Sequence, residues 1–174
     1  LIARLPDCLK KSAKTPAKSM EVYGPDYGRK EGDIDGFVQN IDHAATFLDL
    51  AGIEIPEDIQ GESYLPLLMG QEPSQVVTHH EGTGWRPALY YHFYEYPAEH
   101  AVRRHYGVRT ERYSLMHFYN DIDEWELFDL KEDPQQMHNI YGQPGTEVIV
   151  EELRKELVRL QVLYDDPIIE KNNF

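Results

Sequence analysis

The sequence contains a single cysteine, Cys8, among 174 residues, which excludes a disulfide framework within the chain. No apolar run approaches the ~20 residues that a membrane-spanning helix needs, so we expect no membrane span. Basic residues are also scarce, since 17 Lys and Arg are outnumbered by 31 Asp and Glu, giving a formal net charge of −14. A chain this acidic has no general affinity for nucleic acid or anionic membranes.

Several catalytic and metal-binding motifs are missing as well. The eight histidines form neither an H-E-x-x-H motif nor a Cys/His array, and the neighbouring side chains of His79 and His80 diverge. No G-x-S-x-G motif of a serine hydrolase is present. The acidic cluster at residues 121–126 lacks the glycine and the glutamate spacing of an EF-hand loop, and we predict a solvated turn there. We therefore assign no catalytic residue and no metal ligand to this chain.

The N-terminal part of the chain predicts little regular structure. The chain begins with Leu1 rather than Met, and residues 1–5 are typical of a strand already in progress, so we expect further residues to precede it. Residues 7–36 are rich in Lys, Pro, Gly and Ser and show no periodicity. We predict a long loop there, and loops of this length are uncommon inside compact domains.

Two short helices are predicted next. Asp42 is placed to N-cap a helix that ends at Gly52, and Ser63 is placed to cap a shorter helix running through Met69. The following residues, 71–84, are polar and are predicted to form a linker. The chain is therefore divided into residues 1–70, the linker, and a second unit at residues 85–174.

The second unit alternates strand-like segments before one helix. Residues 88–94, 105–110, 112–118 and 125–130 are predicted strands, and the second and third are close enough for a tight hairpin. The helix at residues 147–164 carries an apolar stripe. Its members recur at steps of three and four residues: Val150, Leu153, Leu157, Leu160 and Tyr164. The predicted fold class is α+β, a small antiparallel sheet of about four strands covered by a C-terminal amphipathic helix.

Three further positions belong to the second unit. Thr146 is predicted to cap the start of its helix, and Glu151 with Lys155 to form an i,i+4 ion pair on the exposed side. Trp125 is predicted to pack against the same helix.

The polar segment at residues 94–109 is the strongest candidate for a binding site. Pro97 interrupts the strand, so residues 95–100 must leave the sheet as a loop. Carboxylate and imidazole groups can hydrogen-bond sugar hydroxyls, guanidinium groups can pair with sulfate, and an aromatic ring can cover the C–H face of a sugar. The candidate substrate-binding residues are Glu95, Tyr96, His100, Arg104 and His105.

A structural explanation of this segment stays open. Four arginines lie within ten residues of each other, and a cationic patch on an acidic protein suits a small anionic ligand. These arginines are Arg103, Arg104, Arg109 and Arg112. They could instead pair with nearby carboxylates, with Glu95 as the partner of Arg104, while Tyr96 lies on a sheet face.

Four segments, in order along the chain, match the motifs of one family. ELFDLKEDPQQMHNIY at residues 126–141 is similar to an "ELYDL..DP.E..N" signature, NIDHAATFLDLAG at 40–52 to "D..PT.L.LAG", and GESYLPLLMG at 61–70 to "G.SL.PLL.G". These are motifs of the type I, formylglycine-dependent sulfatases. Residues 91–125 resemble the N-acetylglucosamine-6-sulfatase branch in particular. The resemblance covers roughly residues 38–164.

The resemblance implies an architecture and a chemistry. Residues 1–70 would be the last elements of an α/β, alkaline-phosphatase-like sulfatase domain. Such enzymes use a formylglycine made from the cysteine of a C-x-P-S-R motif, and a calcium ion held by Asp and Asn. Cys8 lacks the Pro and Arg of that motif. We therefore expect the nucleophile and the calcium site upstream of Leu1, in a catalytic part that is this chain's partner, and the 174 residues alone to be inactive.

The resemblance also implies a substrate. In the N-acetylglucosamine-6-sulfatase branch the C-terminal unit helps to form the rim of the substrate pocket, which implies a recognition role for His100. We interpret the chain as the C-terminal part of a sulfuric ester hydrolase acting on sulfated glycans, with 6-sulfated N-acetylglucosamine as the predicted substrate and a periplasmic or secreted location. One alternative is a non-catalytic carbohydrate-binding or interaction module. Another is a phosphatase or phosphonate hydrolase of the same superfamily.

Overall fold

The computed structural model describes residues 36–168. The strand predicted at residues 1–5 and all but the last residue of the predicted loop at 7–36 lie outside this range. The described residues belong to two compact units that divide between Arg86 and Pro87. Among them, no helix is long and apolar enough to cross a bilayer.

The first unit contains short elements joined by irregular segments. Its elements are α1 (Asp42–Leu50), α2 (Leu65–Leu68), a 3-10 helix (Pro73–Gln75), and the antiparallel strands β1 (Val77–Thr78) and β2 (Gly82–Thr83). The polar segment that we predicted as a linker therefore has regular structure. It is also partly internal, because Val76 is fully buried in a cluster with Leu67 and Trp85.

Helix α1 begins at Asp42, but the prediction that Asp42 caps it is wrong. The N-cap residue is Ile41, and no side chain caps the helix. Instead the Asp42 carboxylate accepts backbone N–H groups of Gln39 (2.6 Å) and Glu62 (2.9 Å). It also pairs through both oxygens with Arg86, at 2.8 and 2.9 Å. The Asp42 carboxylate has no exposed surface. A buried carboxylate is costly unless it is ion-paired and hydrogen-bonded, and this cost outweighs the stabilisation that a helix cap would give.

The ends of the two helices follow the predictions in part. Gly52 has a φ of 70° and donates to Asp49, while the next N–H donates to Leu48. This Schellman geometry confirms the predicted helix stop. The second prediction is displaced by one residue, because α2 has its N-cap at Tyr64. Ser63 precedes the cap, and its hydroxyl donates to the Asp49 carboxylate at 2.6 Å.

The second unit is a four-stranded antiparallel sheet followed by a helix, as predicted. Its elements are β3 (Ala88–Phe93), β4 (His105–Thr110), β5 (Tyr113–Phe118), β6 (Glu124–Asp129) and α3 (Glu147–Leu163). The strands pair in sequence order. Their register places Phe93 opposite His105, and His105 opposite Phe118.

Helix α3 packs on one face of this sheet. The buried core between them is built from alternate sheet residues and one helix stripe: Ala88, Tyr106, Val108, Leu115, Leu127, Leu153, Leu157 and Leu160. Trp125 and Tyr164 pack at the edge of this core. Because successive strand residues point to opposite faces, Tyr91, Phe93 and His105 lie on the face that α3 does not cover.

The start of α3 differs from the prediction. Thr146 occupies the N-cap position, but its side chain makes no capping bond. It has helical backbone angles, and its hydroxyl donates to the carbonyl of Gln143 at 2.7 Å. The predicted pair of Glu151 and Lys155 is confirmed at 2.6 Å on the exposed side of the helix.

Candidate functional site

The loop between β3 and β4, residues 94–104, leaves the sheet as Pro97 predicts. Strand β3 ends at Phe93, and the Tyr96–Pro97 peptide bond is cis. The backbone N–H of Tyr96 donates to the carbonyl of Tyr94 at 2.9 Å, which turns the chain at the start of the loop. We call this segment the β3–β4 loop.

Two predicted site residues lie fully at the surface of this loop. Glu95 and His100 are exposed, and within residues 36–168 neither side chain has a hydrogen bond. Tyr96 is half-buried, and the guanidinium of Arg103 lies over its ring at 4.5 Å. Arg103 is also ion-paired with Asp121. The side chains of Glu95 and His100 are therefore open to solvent. Tyr96 and Arg103 instead contact each other, and Arg103 also contacts Asp121.

Arg104 and His105 are adjacent in sequence but separated in space. The Arg104 Nε donates to the carbonyl of Tyr94 at 2.8 Å, so the pairing with Glu95 that we considered is absent from the described residues. His105 lies on the face of the sheet that α3 does not cover. Its ring stacks on Phe93 at 5.5 Å and is tilted against Phe118 at 5.0 Å. The structure does not bring His105 together with the other four predicted residues.

The arginines of the predicted cationic patch have different partners in the structure. Arg103 pairs with Asp121, and Arg112 pairs with Asp129 at 2.9 Å, as the structural explanation predicts. Arg104 has no carboxylate partner in the described part of the chain. Arg104 lines a cavity of about 600 Å³ at the end of the sheet. This is the size range of sites for small molecules.

The cavity is lined by two histidines that the sequence did not single out. His92 joins Asp166 at 2.6 Å through Nδ1 and the hydroxyl of Tyr119 at 2.5 Å through Nε2. The same Asp166 oxygen accepts the hydroxyl of Tyr90 at 2.6 Å. The side chains of His92 and Asp166 are only 4% and 3% exposed, so this is a buried hydrogen-bonded network.

The second histidine is held by a different set of groups. His117 contacts the hydroxyl of Tyr106 at 2.7 Å through Nδ1 and Asp123 at 2.6 Å through Nε2. Its ring is stacked on Trp125, with centroids 4.2 Å apart. Trp125 in turn lies under the guanidinium of Arg154 from α3, at 4.2 Å, which confirms its predicted packing against the helix.

The environment of this buried network shifts the pKa values of Asp166 and Tyr90. Burial raises the pKa of Asp166, but hydrogen bonds from Tyr90 and His92 outweigh it, so this pKa lies below its usual range. Burial is the main cause of the raised pKa of Tyr90, and its bond to Asp166 adds to it. Tyr90 therefore stays a hydroxyl donor while Asp166 stays an acceptor.

The described residues do not fit the calcium ion and nucleophile that the resemblance implies. Within residues 36–168, no group of three or more His, Cys, Asp or Glu side chains is placed to hold a metal ion. Two carboxylates of the acidic turn are engaged by other side chains, since Asp121 pairs with Arg103 and Asp123 with His117. His79 and His80 donate their backbone N–H groups to Glu62, at 2.5 and 2.7 Å.

Replacing Asp166 by Asn is expected to lower the free energy of unfolding at neutral pH by about 2–3 kcal/mol, because hydrogen bonds to an ionised group contribute about 1.5–3 kcal/mol. The folded-state pKa of Asp166 is depressed, so its contribution is complete above the unfolded pKa of about 3.9 and is lost as the pH falls through the folded value. Urea unfolding from pH 7 to about pH 3.5 should show the difference between wild type and variant shrinking below pH ~4. A difference that stays constant over this range would contradict the account.

Comparisons with known proteins find sulfatases among the relatives of this chain. A model of the family described as "N-sulphoglucosamine sulphohydrolase, C-terminal" matches residues 8–163. The chain is 50% identical over 129 residues to an N-acetylglucosamine-6-O-sulfatase of Bacteroides thetaiotaomicron, covering 73% of this chain and 22% of that protein. It is 47% identical to a solved structure of a protein in complex with its substrate D-glucosamine-2-N,6-O-disulfate. That match has a TM-score of 0.66 and covers 76% of this chain and 25% of the other.

A more distant relative shares the fold of this chain. A phosphonate monoester hydrolase from Silicibacter pomeroyi is 22% identical, with a TM-score of 0.61 over 79% of this chain and 27% of that one. At this identity the match shows a shared fold alone. The chain spans about a quarter of the length of the relatives and structures described here.

Proposed function

Because the chain belongs to the N-sulphoglucosamine sulphohydrolase C-terminal family, we propose that it is the C-terminal part of a sulfatase that hydrolyses the 6-sulfate of N-acetylglucosamine or a related glucosamine in glycans. In this proposal the catalytic nucleophile and the calcium ion belong to a part of the protein that precedes this chain. The residues of this chain bind and orient the sugar.

One observation carries the proposal: the β3–β4 loop projects from the sheet with two polar side chains that are not used internally. His100 and Glu95 are exposed, and neither has a hydrogen bond within residues 36–168. The same loop lies in the segment that resembles the N-acetylglucosamine-6-sulfatases. The 50% identity to such an enzyme supports the same substrate class.

The chemistry of the loop suits an uncharged sugar ring that carries one anionic group. The imidazole of His100 can donate to or accept from a hydroxyl, and the Glu95 carboxylate can accept from one. The Arg104 guanidinium has only its Nε engaged, by the carbonyl of Tyr94. Its terminal nitrogens have no partner in residues 36–168, so they can pair with an anionic substituent. His105, on the other face of the sheet, is left out of this set, and Tyr96 supports the loop through Arg103.

Replacing His100 by Ala in the complete protein is expected to reduce kcat/KM on 6-sulfated N-acetylglucosamine by roughly ten- to a hundredfold. A buried recognition contact contributes ~1–3 kcal/mol, and each 1.36 kcal/mol is a factor of about ten. Hydrolysis of a small aryl sulfate, which lacks the sugar hydroxyls that His100 would contact, should change by less than about twofold.

The matched control is His138→Ala. His138 is also strongly exposed, with 83% of its side chain accessible, but it lies beside Asp133 in a different loop. It should leave both substrates unaffected. If His100→Ala slows both substrates equally and lowers the melting temperature, His100 is structural and the recognition role is wrong.

A further inference from the structure

The buried network at the end of the sheet contacts both ends of the β3–β4 loop. At the first end, the ring of His92 stacks on Tyr94, with centroids 3.8 Å apart. At the second end, Tyr119, whose hydroxyl meets His92, donates its backbone N–H to the carbonyl of Arg104 at 3.2 Å. Arg104 then returns to the carbonyl of Tyr94 at 2.8 Å. His92 therefore lies at the point where the loop closes.

Asp166 determines how His92 is oriented. A carboxylate only accepts hydrogen bonds, so the Nδ1 of His92 must be the donor in their 2.6 Å contact. In the neutral ring this leaves Nε2 as the acceptor for the hydroxyl of Tyr119. The order of donors thus runs in one direction, from Tyr119 through His92 to Asp166.

Asp166 is itself fixed from the helix side of the unit. It follows α3 after Asp165, which has a φ of 52° and turns the chain back. Its backbone N–H donates to Gln161 at 3.0 Å, and its second carboxylate oxygen accepts the N–H of Ile168 at 2.8 Å. The carboxylate thus connects the end of α3 to the base of the β3–β4 loop. His92, its partner there, lies 74 positions earlier in the chain.

We propose that Asp166 is a positioning residue for substrate recognition, which acts through His92 on the two ends of the β3–β4 loop. This inference rests on the proposed function of the loop. Asp166 and His92 are buried and do not reach the exposed side chains of Glu95 and His100. Their effect is to fix the base from which those side chains project, so that less conformational freedom is lost when the sugar binds.

The test uses steady-state kinetics of the complete protein with Asp166→Asn, His100→Ala and the double variant. Asp166→Asn should raise KM for 6-sulfated N-acetylglucosamine about tenfold, with kcat within about twofold, because the loss falls on binding of the sugar. The small aryl sulfate should be unaffected in both constants. In the double variant, the loss on the sugar should be smaller than the product of the two single losses, because Asp166 acts in part through the contact that His100 makes.

The matched control is Leu157→Ala, a buried change in α3 outside the network. It also lowers stability, so it shows whether destabilisation alone changes substrate preference, and it should leave the ratio of the two KM values unchanged. A shifted ratio in Leu157→Ala would overturn the positioning role.

The outcomes separate the two proposals. If His100→Ala is selective for the sugar and Asp166→Asn is not, the loop binds substrate and the positioning role is wrong. If the two losses multiply in the double variant, Asp166 acts independently of His100 and the inference also falls. If His100→Ala is not selective, the proposed function of the loop is wrong, and the inference falls with it.

Discussion

Replacing Asp42 by Ala is expected to lower the free energy of unfolding of the first unit by ~3–5 kcal/mol, the largest effect that we predict, since removing one partner of a buried ion pair strands the other. The side chains of Arg86 and Asp42 are 1% and 0% exposed. The change would also leave the backbone N–H groups of Gln39 and Glu62 without their acceptor.

The measurement can be confined to the first unit, because each unit contains one of the two tryptophans. In a Trp125→Phe background, the fluorescence of Trp85 reports unfolding of the unit that holds Asp42. The matched control is Asp58→Ala, an exposed aspartate of the same unit, which should change stability by less than about 0.5 kcal/mol. Equal shifts for the two variants in urea would contradict the role of the buried pair.

Replacing Leu157 by Ala is expected to cost ~2–5 kcal/mol in the second unit, through lost burial and the cavity left behind. Leu157 is 2% exposed and lies in the core between α3 and the sheet. Lys155→Ala, two residues earlier on the same helix, should cost under ~0.5 kcal/mol, since exposed i,i+4 pairs are weak. Its ion pair with Glu151 is 71% and 68% exposed.

Trp125 fluorescence in a Trp85→Phe background follows this second transition. The two variants differ by only two positions on one helix, so helix propensity and chain position are nearly matched. Similar melting shifts for both would mean that the opposite face of α3 is buried.

The sequence predicted the second unit well because its signals are local and periodic. The alternation of residues 88–94 and the three- and four-residue steps of residues 147–164 record burial on one face. The strands and α3 end within one residue of those predictions. The four sequence motifs also identified the family correctly, since the family model spans residues 8–163.

The errors arise where a distant residue decides the local structure. Asp42 has the residue type of an N-cap, but its partner Arg86 is 44 positions away, and no local pattern indicates that pair. A distant residue also holds the polar segment at residues 71–84, since the Glu62 carboxylate accepts the backbone N–H groups of His79 and His80. The cap prediction for Thr146 failed for a local reason, because its hydroxyl donates to Gln143 instead.

In the candidate site, too, the features with a local signal could be predicted and those that depend on a distant residue could not. Pro97 correctly predicted an excursion from the sheet, so the exposure of Glu95 and His100 could be foreseen. The position of His105 was also readable in principle, because alternation along β4 puts it on the face opposite to Tyr106. The network of His92 with Asp166 was not, since the two are 74 positions apart and the second lies beyond the last periodic element.

The most direct test of the proposed function is sulfate release by the complete protein from N-acetylglucosamine 6-sulfate. The account predicts equal amounts of free sulfate and N-acetylglucosamine, with sustained turnover, and a loss of that turnover in His100→Ala that the aryl sulfate does not share. Binding of the sulfated sugar without any release of sulfate would instead indicate a carbohydrate-binding module. Hydrolysis of a phosphonate monoester in preference to the sulfate would contradict the proposed substrate class.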